Sequence, residues 1–95
     1  MKTKLFSIRD SKIGSYMQPF FSPTVATALR SLEAAVADPN HDFCKWAGDF
    51  DMYCVGEYDE ERGVLIPLDA PQHVARALDF KNNKGLTVAG ENSVQ

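Results

Sequence analysis

SPTVATALRSLEAAVADP, residues 22–39, is the stretch on which the fold turns. A hydroxyl followed by proline is a strong helix start. Ser22 suits the N-cap, and Pro23 suits the first helical position, where its missing N–H would have no partner anyway. Val25, Leu29, Leu32 and Val36 then recur at spacings of four, three and four. That is one face of an α-helix, widened by Ala28 and Ala35. Asp38-Pro39 closes the segment, because the residue before a proline is pushed out of the α region. The pattern predicts a helix over 23–37 with Arg30 and Glu33 on its outer face.

On the N-terminal side, residues 4–9 (KLFSIR) alternate so that Phe6 and Ile8 share one face, as a half-buried strand requires. DSKIG at 10–14 supplies turn chemistry, and Gly14 takes a positive φ without steric cost. SYMQPFF at 15–21 reads as the returning strand. Pro19 cannot donate to a ladder, so it marks a strand end or a sheet edge.

On the C-terminal side, residues 39–49 (PNHDFCKWAGD) form a connection with one short helical turn that buries Phe43 or Trp46. Residues 50–58 (FDMYCVGEY) are a third strand, alternating Phe50, Met52 and Cys54 against Asp51, Tyr53, Val55 and Glu57. DEERG at 59–63 closes a hairpin, with Gly63 placed for a left-handed residue. VLIPL at 64–68 is the fourth strand, and its proline again suggests an edge. Asp69 or Ala70 then caps a short helix over PQHVARAL (71–78), with Val74 and Leu78 inward. Beyond Phe80 the periodicity is lost, and residues 81–95 read as a flexible tail. The expectation is one α+β domain over residues 1–80 in ββα-ββα order. It has a four-stranded antiparallel sheet, the helix 23–37 across one face and a short C-terminal helix.

Ninety-five residues, 44% hydrophobic and 24% charged, describe an ordinary globular domain. MKTKLFSIRD lacks the apolar core of a signal peptide, and no apolar run approaches membrane length. No membrane partner is expected. Cys44 and Cys54 are too few for a disulfide framework, so free thiols and a cytosolic location are expected. A net charge of −3 argues against indiscriminate polyanion binding. Its distribution is uneven: Lys2, Lys4, Arg9 and Lys12 make the first hairpin basic, whereas residues 41–69 hold eight acids against Lys45 and Arg62.

Metal binding, catalysis and nucleic-acid binding each leave different marks in a sequence. His41 and Cys44 are three apart, but Cys54 and His73 lie far along the chain, and zinc sites use paired close spacings. Cys54 fits better as a small buried hydrophobe. No glycine-rich phosphate loop, nucleophile elbow or HExxH motif occurs. Glu57, Asp59, Glu60 and Glu61 sit in and around a hairpin turn, where charge runs are normally solvated. Neither an enzyme nor a cofactor is expected. Nucleic acid remains, because the first hairpin interleaves Lys4, Arg9 and Lys12 with Phe6, Tyr16, Phe20 and Phe21. Cations that track phosphates beside rings that stack on bases are what single-strand binding needs. Lys4, Arg9, Lys12 and Tyr16 are the candidate contacts. The structural alternative is that the rings are sheet core and the lysines keep an edge soluble.

The D-S-K turn at 10–12, the P-F-F-S-P junction at 19–23, Arg30, Asp38-Pro39 and the VGEYDEERG hairpin together resemble a known family. It is the small non-structural protein of gokushoviruses, tailless single-stranded DNA bacteriophages of the Microviridae, and the resemblance covers roughly residues 4–80. It implies a host-cytoplasmic protein, absent from the finished capsid, that serves viral DNA synthesis. The family's usual assignment is DNA binding, or support for the switch to single-strand synthesis during packaging. It brings no established binding residues to carry over.

Two functions stay open: a single-stranded DNA-binding module, and an adaptor that recruits a viral or host replication protein. One helix on one sheet face would leave Tyr16, Tyr53 or Val55 on an exposed apolar surface, so a homodimer or larger oligomer is expected.

Overall fold

The computed structural model describes residues 2–82. Their elements are β1 (Lys2–Asp10), β2 (Ser15–Tyr16), β3 (Phe20–Ser22), α1 (Val25–Ala37), α2 (Asp42–Lys45), a 3-10 turn (Ala47–Asp49), β4 (Phe50–Asp59), β5 (Val64–Arg76) and α3 (Ala77–Asn82). All strand pairs are antiparallel. The order across the sheet is β2-β1-β4-β5, and β3 also pairs with β1. The result is a small mixed α/β domain with a curled antiparallel sheet and three helices. The element order is therefore not ββα-ββα. The returning strand of the first hairpin is broken at Met17–Pro19, and a four-residue helix follows α1.

The core lies between one sheet face and the helices. Phe6, Ile8, Phe50, Met52 and Cys54 from the strands meet Ala28, Leu32 and Val36 of α1, together with Ala47 and Ala77. The alternation expected along β4 holds, with Phe50, Met52 and Cys54 buried and the residues between them half-exposed. Cys54 is indeed a small buried hydrophobe; its thiol donates only to the Gly56 carbonyl, at 3.7 Å. Both cysteines are free. The turn glycines also behave as read, with φ of 74° at Gly14 and 68° at Gly63.

Two expectations need correction. The helix does not start at Ser22-Pro23. Ser22 is committed to the sheet, opposite Lys4, and is buried. The chain must leave the ladder before it can coil. Thr24 is the N-cap instead, its hydroxyl accepting from Thr27 N at 3.1 Å. The buried stripe rotates accordingly to Ala28, Leu32 and Val36; Leu29 is half-buried, and Val25 is 37% exposed. The C-terminal end is as read, with Asp38 in extended conformation before Pro39.

The second correction concerns residues 71–78, which are not a helix. β5 continues to Arg76, with Gln72, His73, Ala75 and Arg76 opposite Cys54, Tyr53, Met52 and Asp51. An eight-residue helix leaves most of its end N–H and C=O groups unpaired, whereas the exposed flank of β4 offers a partner for each. Val74 and Leu78 do turn toward the core, one from the strand and one from α3. β5 is the sheet edge that Pro67 suggested. Of the two residues offered for burial in the connection, Phe43 packs on Phe50 at 4.7 Å between ring centroids, but Trp46 is 61% exposed. The tail assigned to residues 81–95 lies, beyond Asn82, outside the described residues.

At Gly56 the backbone of β5 leaves no room for a side chain. A Cβ built there would stand 2.7 Å from the Ile66 carbonyl oxygen. Beside it, Val55 is an extra residue relative to β1, since the pairing passes from Leu5–Gly56 to Phe6–Cys54, while on the other side β5 carries the surplus, residues 68–71 standing opposite Val55. This bulge strengthens the curl of the sheet.

Candidate functional site

The helices contact one another and leave the second sheet face open among the described residues. Strand alternation decides what that face carries. Phe6 and Ile8 of β1 point into the core, so Thr3, Leu5, Ser7 and Arg9 point away from it. Their partners in register complete four levels across the sheet. Thr3 stands beside Tyr58, which pairs with Leu65. Leu5 stands beside Phe21. Ser7 stands beside Tyr53, which pairs with His73. Arg9 lies between Tyr16 and Asp51, which pairs with Arg76.

Aromatic side chains dominate the middle of this surface. Tyr16 and Tyr53 meet edge to face with centroids 5.5 Å apart, and Tyr53 meets the His73 ring at 5.2 Å in the same manner. The three rings form one row from β2 to β5. A second pair, Phe21 and Tyr58, lies toward the β4–β5 turn with centroids 5.7 Å apart. Phe21 is 56% and Leu65 61% exposed.

The polar groups gather at the other end. Asp51 Oδ1 lies 2.9 Å from His73 Nε2 and accepts from Arg76 Nε at 3.4 Å. The Asp51 side chain is 14% exposed, whereas those of His73 and Arg76 are half exposed. One carboxylate thus sits beneath two cationic or cation-capable groups, with Arg9 on its other side. The acidic turn at Asp59–Gly63 is at the far end of β4, where Asp59 Oδ1 accepts from the backbone N–H groups of Glu61 and Arg62.

Of the four candidate contacts, the fold brings two together: Arg9 and Tyr16 are cross-strand partners on the open face. Lys4 shares the helix-side face with Phe6 and stands 3.8 Å from Glu57. Lys12 is in the turn, where its backbone N–H donates to the Asp10 carboxylate, and it lines a separate cavity of about 340 Å³ with Asp10, Asp42, Trp46, Asp49 and Phe50. Phe6 and Phe20 stack at 5.9 Å, with Phe6 wholly buried in the core.

Among the other groups of this face, the sequence places Tyr53 only on an exposed apolar surface and does not place His73 or Arg76 there at all. Tyr53 was legible as the out-facing neighbour of Met52. His73 and Arg76 were hidden by the helical reading of residues 71–78. Among the described residues, no three His, Cys, Asp or Glu side chains gather as a metal site, and no helix is long and apolar enough to cross a membrane.

A protein-family model described as Phage ORF5 protein matches residues 3–80 of the chain. No curated protein and no solved structure matches it.

Proposed function

The chain belongs to the Phage ORF5 protein family, and from that premise and the geometry of the open face we propose that it binds single-stranded DNA. In this reading bases stack on Tyr16, Tyr53 and His73 while Arg9 and Arg76 reach the phosphates. The observation that carries the reading is the row of three rings crossing a helix-free sheet face, with arginines along one side of it. Stacking contributes about 1–3 kcal/mol per base and tolerates any sequence. The arginines outnumber the single carboxylate between them by one, so charge adds less than stacking. That balance suits a protein of net charge −3, which must avoid holding every polyanion it meets.

The role we assign is non-catalytic: covering single strands during viral DNA synthesis in the bacterial host cytoplasm, at the switch toward single-strand production. Binding of labelled single-stranded and duplex oligonucleotides, followed by fluorescence anisotropy, tests this. A duplex keeps its bases stacked on each other and offers no free ring faces, so the single strand should bind at least about tenfold tighter. Equal affinity for the two forms would refute the stacking mode.

The exposure of Phe21 and Leu65 favours a second reading. An apolar patch beside an acidic turn suits a protein partner, either a second copy of the chain or a viral or host replication factor.

A further inference from the structure

Both edges of the sheet are interrupted at nearly the same level, and proline marks each interruption. On one edge, Met17–Pro19 separates β2 from β3, opposite Ser7 and Ile8 of β1. On the other, residues 68–71 of β5 leave the ladder between the pairs Gly56–Pro67 and Cys54–Gln72. Val55, the extra residue of β4, stands between them. The interruptions raise two walls over a floor of Ser7 and Val55. Between them lies a shallow cleft of about 250 Å³, lined by Ser7, Tyr16, Met17, Pro19, Val55 and Pro71.

We propose, resting on the DNA-binding reading above, that this cleft is a base subsite that takes thymine with its C5-methyl group against Val55 and Met17. Three observations support the choice of occupant. The cleft shares Tyr16 with the ring row, so a base at the end of the stack enters it without a break in the strand. Its volume admits one base. Its walls are carbon, apart from the hydroxyls of Ser7 and Tyr16, and the Ser7 hydroxyl already donates to the Met17 carbonyl at 2.7 Å.

The polarity of the walls then selects among bases. An edge group buried here without a partner costs on the order of tenfold in affinity. Guanine, with several donors and acceptors on its edges, is penalised most. Thymine alone brings a methyl group that the walls can cover.

The test compares homopolymers of thymidine and deoxyuridine of equal length, which differ only in that methyl group. Covering one methyl predicts about fourfold tighter binding of the thymidine polymer per occupied cleft. Val55→Thr, which keeps the side-chain shape, and Met17→Ala, at an exposed position, should each bring the ratio close to one. Tyr53→Ala should weaken both polymers and leave the ratio unchanged. Equal binding of the two polymers by the wild type overturns the thymine subsite and leaves the stacking platform standing. So does a ratio that survives both cleft variants. Absence of binding to either polymer overturns the subsite together with the DNA-binding reading. If the wild type self-associates in light scattering, Met17→Ala disperses it and no methyl preference is seen, the cleft seats a second copy instead.

Discussion

Tyr16 and Tyr53 lie on strands that are not neighbours, yet their rings meet at 5.5 Å over Ser7 on the strand between them. Ser7 faces away from the helices but is only 3% exposed, and its hydroxyl donates to the Met17 carbonyl at 2.7 Å. A larger side chain there would stand between the two rings. The continuity of the aromatic row therefore depends on one small residue in β1.

Tyr53 is the central ring, so Tyr53→Ala removes a stacking surface and separates its two neighbours. Single-stranded oligonucleotide affinity should fall by about 1–3 kcal/mol, tenfold or more. The thermal midpoint should move little, since the ring is on the open face. Unchanged affinity in an anisotropy titration would remove the row from the binding surface.

The position of the helix face separates two leucine-rich readings of α1. Leu32→Ala should cost about 2–5 kcal/mol in denaturant unfolding, because Leu32 is 3% exposed in the core. Val25→Ala should cost less than about 1 kcal/mol. Equal losses would restore the stripe through Val25 that the spacing alone suggests.

Gly56→Ala tests the close approach of β4 and β5. The new Cβ would meet the Ile66 carbonyl at 2.7 Å, a backbone atom that cannot rotate away. A loss of about 1–3 kcal/mol is expected, as for other overpacked sites. A neutral or stabilising substitution would mean that the two strands are further apart here.

Much of this architecture was legible in the chain because its signals were local. Phe6 with Ile8, and Phe50 with Met52 and Cys54, alternate at the period of a strand, and Gly14 and Gly63 mark turns that need a positive φ. What failed depended on partners distant in sequence. Ser22 and Thr24 are both good caps, and only the pairing of Ser22 with Lys4 decides between them. Residues 71–78 place Val74 and Leu78 four apart, a helical spacing, but β4 supplies the ladder that holds residues 72–76 extended. The same error concealed His73 and Arg76. Lys4 and Lys12 were grouped with Arg9 by sequence proximity, although alternation and the turn send the three in different directions.

The most direct test of DNA binding on the open face compares two charge reversals in a salt titration against a labelled single strand. Arg9→Glu with Arg76→Glu alters the open face, whereas Lys4→Glu with Lys12→Glu makes the same change in net charge elsewhere. For the wild type, two phosphate contacts predict a log–log salt slope of about −1.4. The arginine pair should weaken binding strongly and flatten the slope, and the lysine pair should keep most of the affinity together with the slope. No affinity in the wild type at low salt, or equal losses from the two double variants, would contradict the account.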